Sequence, residues 1–188
     1  LEKAYGQPVD IEFTASVDTG ERVRVNLLQC RPLFLPGSMA DVSVPTHLDR
    51  QQILFRAHRM ICGGFVERIR YILYIDPQRY HHLDPESKKS LGRLVGQINR
   101  HPLIQGNKIM IMGPGRWGSS NIALGVNVSY ADIDTAAVLV EVALEEAGHV
   151  PEVSYGTHFF HDLVEGQIIY LPVYPDDAAS EFQDKFFK

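Results

Sequence analysis

A glycine-rich loop near the middle of the chain holds residues that could bind an anion. The apolar run at 109–112 leads directly into a segment that contains Gly113, Gly115, Arg116, Gly118, Ser119 and Ser120. Glycine permits positive φ and close backbone approach, successive N–H groups can form an anion-binding concavity, and arginine and serine add charge and donors. The pattern predicts a loop that binds a small phosphate or carboxylate ligand. The alternative is a tight turn whose glycines serve only backbone geometry.

Two familiar phosphate-binding templates do not fit this loop. In a P-loop the second glycine is followed by lysine, and here Ser119 takes that position. A dinucleotide fingerprint needs a helix directly after the loop, whereas residues 121–130, with Gly125 and alternating valines, predict extended chain.

A second group of candidate residues follows Thr157, which could cap a helix. His158, His161 and Asp162 have the i, i+3, i+4 spacing that shares one helical face. That face could provide two metal ligands and a carboxylate, or a catalytic histidine with an orienting aspartate. The alternative is that these histidines are surface groups or satisfied core groups.

The third group lies in two alternating segments at the start of the chain. Residues 10–15 and 22–29 alternate as strands do, and residues 18–21 have hairpin-turn chemistry. Alternation places Gln29 and Arg31 on one face, and Glu12 lies in the preceding strand. A carboxylate suits Mg²⁺, and arginine and glutamine can donate to phosphate. The alternative is a cross-strand ion pair between Glu12 and Arg31 on a solvated hairpin.

The same segments carry a family resemblance. The run YGQPVDIEF at 5–13, followed after a hairpin by LLQCRP at 27–32, resembles the end of the ATP-grasp domain of the phosphoenolpyruvate synthase and pyruvate phosphate dikinase family. The resemblance covers about the first sixth of the chain. It implies metal coordination by Glu12, contacts from Gln29 and Arg31 to the transferring phosphate, and ATP and Mg²⁺ as cofactors of a longer parent protein.

The resemblance also implies what lies outside the chain. In that family the segments that hold the nucleotide base and most of the triphosphate lie upstream of this block, so the rest of the ATP-grasp domain is an expected partner. The family also has a phosphorylated histidine in a T-x-H-A-A setting. The nearest parallel here is His158, directly after Thr157, with Phe159 and Phe160 in place of the alanine pair.

The remaining sequence predicts an α/β (or α+β) domain that contains a mixed sheet and a few helices. Asp84 and Pro85 start a helix that runs to about Arg100, and the apolar run at 109–112 follows as a buried strand. Strand–helix–strand order favours parallel neighbours, with ligands at the carboxyl ends of the strands. Residues 168–174 predict a final strand, which Pro172 favours at a sheet edge, and residues 176–188 predict a helical or frayed tail.

The sequence makes more specific predictions of secondary structure for two further regions. Residues 52–62 and 65–76, separated by Gly63 and Gly64, predict a second hairpin, followed by a solvated pair, His81 and His82. Residues 137–143 predict a strand, with a single helix over 134–147 as the alternative.

Composition restricts the class of protein. The 188 residues are 45% apolar and 22% charged, which is ordinary for a globular protein. A net charge of −5 gives no general attraction to nucleic acid or to anionic membranes. Two cysteines provide no disulfide framework, and no apolar run reaches the length of a spanning helix, so the expected location is the cytoplasm.

Together these observations predict the end of an ATP-grasp domain at 1–33, a linker at 34–46 and an accessory α/β domain at 47–188. The favoured function is part of an ATP-dependent phosphotransferase related to pyruvate and phosphoenolpyruvate chemistry, with Arg31 and His158 as catalytic candidates. The alternatives are a non-catalytic module that binds a small anion and a metal-dependent hydrolase that uses His158, His161 and Asp162. The oligomeric state is not predicted.

Overall fold

The structure, a computed structural model, describes residues 1–17, 20, 22–32, 47–58, 64–145 and 150–187. The predicted linker at 34–46, Cys62, Gly63 and most of the predicted turn at 18–21 lie outside the described residues. The chain divides into two compact units, Leu1–Leu35 and Pro36–Lys188.

The first unit is built around the predicted hairpin, which the structure confirms. Helix α1 (Glu2–Tyr5) precedes two antiparallel strands, β1 (Val9–Val17) and β2 (Val23–Pro32). The register shifts between the Glu12–Gln29 pair and the Phe13–Leu27 pair, so Leu28 is an extra residue in β2. Such a bulge changes which face each later residue of the strand occupies.

A parallel four-stranded sheet forms the centre of the second unit, and the α/β fold class is confirmed. Its strands lie in chain order: β4 (Tyr71–Tyr74), β5 (Ile109–Pro114), β6 (Ala136–Val142) and β7 (Ile169–Val173). The predicted buried strand is β5, all six of whose residues are buried. Pro172 lies in an edge strand, as predicted. The predicted strand at 137–143 is confirmed, and the alternative of a helix at 134–147 is wrong, because residues 136–142 form β6.

Three helices connect these strands, and side-chain caps explain where they begin. Helix α2 (Pro77–His81) begins after Asp76, and α3 (Pro85–Asn99) begins after Asp84, each with proline at its first position. Helix α4 (His158–Glu165) begins after Thr157, whose hydroxyl accepts the Phe160 N–H, as predicted. Among the described residues, no helix reaches the length and apolar character needed to span a bilayer.

The two faces of the sheet have separate cores. One face packs against the connections between the strands, and its core includes Ile109, Ile111 and Leu139 together with residues of all three helices. The opposite face includes Met110, Met112 and Val140, and it is covered by side chains such as Phe55, Phe182 and Phe187. Sequential parallel strands with right-handed crossovers place every connection on the same face, which accounts for this division.

The cover of the second face corrects the predicted hairpin at 52–76. Strand β3 (Phe55–Arg56) pairs with β8 (Glu181–Phe182), and β4 pairs in parallel with β5. Arg68 has a φ of 55°, so the chain cannot continue as one strand from 65 to 76. The predicted helical tail is confirmed in part: residues 184–187 form the short helix α5 (Asp184–Phe187), but the strand β8 precedes it.

Candidate functional site

The hairpin gathers the three residues predicted to act on metal and phosphate. Glu12 lies directly opposite Gln29, and Arg31 is two residues further along β2. Directly opposed residues in an antiparallel pair, and residues two apart in one strand, point to the same face. Glu12, Gln29 and Arg31 therefore share one face of the hairpin.

The bulge at Leu28 produces this arrangement. Val23, Val25 and Leu27 alternate on the apolar face of β2, and uninterrupted alternation would place Gln29 on that face as well. The extra residue moves Gln29 and Arg31 to the polar face opposite Glu12. The sequence carries a signal of this change, because two leucines in succession break the alternation.

Asp10 is a fourth member of the polar face, which the sequence analysis did not identify. It lies opposite Arg31, whose Nε is 3.3 Å from Asp10 Oδ2. Both side chains are about seven-tenths buried, with exposed fractions of 27% for Arg31 and 30% for Asp10. The bond uses one of the five N–H donors of the guanidinium and fixes the orientation of the fork.

The glycine-rich loop differs from the prediction, because its successive N–H groups already donate within the protein. Gly115 N donates to Val142 O (3.1 Å), Arg116 N to Leu124 O (2.8 Å), and Gly118 N to Val126 O (3.2 Å). Trp117 N donates to a carboxyl oxygen of Glu141 at 2.8 Å. These four amides therefore do not form an anion-binding concavity in this conformation.

The side chains of Arg116 and Ser119 in the loop also have protein partners. Arg116 lies 2.9 Å from Glu152, and Ser119 Oγ accepts the N–H of Asn121 at 3.1 Å. The carbonyl of Ser120 is 3.5 Å from Asn127 Nδ2. The loop glycines are explained by packing: a Cβ on Gly113 would lie 2.7 Å from the Trp117 ring, and one on Gly115 would lie 2.0 Å from Leu124 O.

A buried carboxyl group organises the loop. Glu141, on β6, is 0% exposed and lies beside Gly113 of β5 and Pro172 of β7. Its carboxyl also contacts Ser154 N at 2.6 Å and Tyr170 OH at 2.6 Å. One side chain thus links the glycine-rich loop, the segment before α4 and the edge strand β7.

The contacts of Ser154 identify the protonation state of Glu141. Ser154 Oγ is 2.8 Å from Trp117 O and 2.5 Å from Glu141 Oε1. A serine hydroxyl has one proton and a carbonyl can only accept, so a protonated Glu141 satisfies both contacts. Burial raises the pKa of the Glu141 carboxyl, and this effect outweighs the hydrogen bonds that the carboxyl accepts, which lower that pKa. The contacts of Ser154 and the burial thus both favour the neutral acid.

The histidines of α4 do not form the metal site that the third hypothesis requires. His158 and Asp162 are exposed and His161 is half-buried, with its ring 5.7 Å from that of Phe160. Among the described residues, no group of three or more His, Cys, Asp or Glu side chains is placed to hold a metal ion. Glu12 is not affected by this finding, because Mg²⁺ is often bound by only one or two carboxylates.

A cavity of about 340 Å³ opens at the carboxyl ends of β5 and β6. Pro114 and Val142, the last residues of these strands, line it together with Gly115. His81, His82 and Lys88, at the end of α2 and the start of α3, also line it. His82 follows α2 as its C-cap, so the predicted solvated pair lies beside a concave surface.

Comparison with protein-family models, with curated proteins and with solved structures finds no match to this chain.

Proposed function

We propose that residues 1–32 supply part of the metal and phosphate site of an ATP-dependent phosphotransferase. The observation that supports this most directly is the shared hairpin face of Glu12, Gln29 and Arg31, which the bulge at Leu28 creates. Bulges re-aim side chains and are over-represented next to active sites. The family resemblance of the same residues gives the reaction class.

Each side chain suits a separate role in phosphoryl transfer. Glu12 would hold Mg²⁺, which neutralises charge on the phosphates when it is bound. Arg31 offers a planar fork to the phosphate, oriented by Asp10 through the 3.3 Å contact at Nε. Gln29, opposite Glu12, adds a neutral donor on the same face.

His158 is the proposed acceptor of a phosphoryl group, and it is the second element of the proposal. It is the exposed first residue of α4, while Phe159 and Phe160 are buried in the core. Exposure agrees with a group that must meet a phosphate donor, and burial of the two phenylalanines gives a packing reason for their presence in place of alanine.

The test measures pyruvate-dependent ATP consumption by the parent protein that carries the upstream segments. Glu12→Gln removes the charge that would hold Mg²⁺, and Arg31→Lys keeps the charge but removes the planar fork. Each should lower the rate by roughly two orders of magnitude. Glu2→Gln and Arg24→Lys are matched controls on exposed positions of the same unit and should leave the rate unchanged.

The third test variant is His158→Ala, which removes the proposed phosphoryl acceptor. Loss of activity with Glu12→Gln alone supports the nucleotide site and removes the phosphohistidine role. A rate that none of the Glu12, Arg31 and His158 variants alters would contradict the whole proposal.

A further inference from the structure

The cavity at the carboxyl ends of β5 and β6 has the position and size of a small-molecule site. Open parallel sheets bind ligands outside the carboxyl ends of their strands, and binding cavities begin at about 300 Å³. The volume here, about 340 Å³, places it at the small end of that range.

The walls of the cavity are held in place by hydrogen bonds to the backbone. Asp76 caps α2 by accepting the N–H groups of Gln78 and Arg79. The Tyr80 hydroxyl donates to Gly125 O at 2.7 Å and lies 3.1 Å from Ile122 O, which links α2 to residues 122–125. Burial raises the pKa of Tyr80 to about 12, so this hydroxyl keeps its proton at neutral pH. The cavity is therefore preformed.

The lining combines basic and apolar side chains. Lys88, His81 and His82 are among the lining residues, and Lys88 Nζ lies 5.1 Å from the centre of the Tyr80 ring. Pro114, Val142 and Leu144 belong to the apolar part. Among the described residues that line the cavity, Glu145 is the one acid and no arginine is present.

We infer that this cavity binds a small monocarboxylate with a short apolar body. One lysine, partly offset by Glu145, matches a single negative charge better than a phosphate dianion. Phosphate sites commonly use a series of backbone N–H groups or arginine forks. Here the amides of residues 115–118 already have acceptors, and no arginine is found among the described lining residues. The apolar lining residues Pro114, Val142 and Leu144 would contact the body of the ligand.

The test uses acetate, butanoate, 4-methylpentanoate and inorganic phosphate as probes of the 188-residue chain. Binding is followed by NMR of the histidine rings, with His101 and His158 as histidines outside the cavity lining. The carboxylates should shift His81 and His82 selectively, and affinity should rise about fourfold for each added CH₂ group until the cavity is filled. Phosphate should bind more weakly than butanoate.

Three variants locate the site. Lys88→Gln should weaken butanoate binding about tenfold, because a charged hydrogen-bond partner is lost. Lys89→Gln is the matched control, because Lys89 is the next residue of α3 and is not part of the cavity lining. This variant should bind butanoate with the affinity of the unmodified chain. Ala123→Phe, at an exposed position of the lining, should block binding by filling the cavity.

Several results would overturn the inference. Phosphate that binds as tightly as butanoate, or affinity that does not depend on chain length, contradicts the ligand class. Binding that survives both Lys88→Gln and Ala123→Phe, or no shift of His81 and His82 at about 10 mM carboxylate, contradicts the site. The ligand titrations of the unmodified 188-residue chain require no variant to fold, and they do not depend on the role proposed for the hairpin.

Discussion

Two glutamates, one in each unit, show how the environment of a carboxyl group determines what it can do. Glu12 is exposed on the polar face of the hairpin, where it has water on one side and Gln29 opposite. Glu141 is fully buried and is surrounded by the donors of Trp117, Ser154 and Tyr170. The exposed carboxyl group is accessible to a cation, while burial raises the pKa of the other carboxyl group, which links three segments through hydrogen bonds.

The same contrast explains the glycine-rich loop. A sequence of glycines after a buried strand is typical of anion-binding loops, yet here the donors of the loop face inward. The amide of Trp117 meets Glu141, and its neighbours meet carbonyl groups of β6 and of residues 124 and 126. An acidic side chain that belongs to the protein thus occupies the place where an external anion was expected.

Replacement of Glu141 should have the largest effect on stability. Glu141→Leu removes the acceptor of the buried Trp117 and Ser154 amides and the contact with the Tyr170 hydroxyl, and we expect a loss of about 4 kcal/mol in the free energy of unfolding. Glu141→Gln keeps the acceptor for Ser154 N and Tyr170 OH and should lose less, about 2 kcal/mol. Urea unfolding followed by the fluorescence of Trp117, the single tryptophan, measures both. Equal losses would contradict the hydrogen-bond assignment.

Replacement of a glycine in the glycine-rich loop should have the next largest effect on stability. Gly115 has a φ of 55° and a Cβ there would lie 2.0 Å from Leu124 O, so Gly115→Ala should cost about 3 kcal/mol. Gly106 has a φ of 77° but open space around its Cα, and Gly106→Ala should cost only about 1 kcal/mol. The difference between the two variants, measured in urea, isolates the clash from the backbone strain.

The pH dependence of stability tests the protonation of Glu141. The unfolded chain loses this proton near the ordinary pKa of 4.5, while the folded chain keeps it, so the folded state binds more protons above that pH. The free energy of unfolding should therefore fall as pH rises above 4.5, by up to about 1.4 kcal/mol per pH unit from this group. Glu141→Gln should remove that slope. A slope that persists in the variant would assign it to other groups.

Replacement of Glu12 should have the smallest effect on stability and thus sharpens the comparison. Glu12→Gln changes an exposed charge, and we expect the Tm to move by no more than about 2 °C. Thermal unfolding by circular dichroism provides the measurement, with Glu2→Gln as the exposed control. A large fall in Tm would give Glu12 the structural role that is here assigned to Glu141.

Local patterns in the sequence predicted much of the fold. The alternation at 10–15 and 22–29 predicted the hairpin, Asp84 and Pro85 predicted the start of α3, and Thr157 predicted the start of α4. These features depend on residues close together in the chain. Which strand pairs with which is a long-range choice, and there the prediction for residues 52–76 was wrong.

Local patterns also predicted some features of the candidate sites and missed others. The shared face of Gln29 and Arg31 follows from alternation, although the bulge that turns this face toward Glu12 was not predicted. Glu141 was not identified because the following residues, 141–148, resembled a helix. One acid within the apolar run at 136–142 was the signal that could have found it. The cavity brings together His81, Lys88 and Val142, which are distant in sequence, and no local pattern links them.

The order of the sheet has a consequence for how the second unit folds. Because every strand connection packs on one face, the face that carries Met110 and Met112 is covered by strands β3 and β8, which are more than 120 residues apart in the chain. Contacts over such separations close slowly, since a long loop must be ordered before they form. Until residues 181–187 have docked, a nascent chain presents an apolar strip of methionine and valine to its neighbours, and this strip is the surface a chaperone would need to shield.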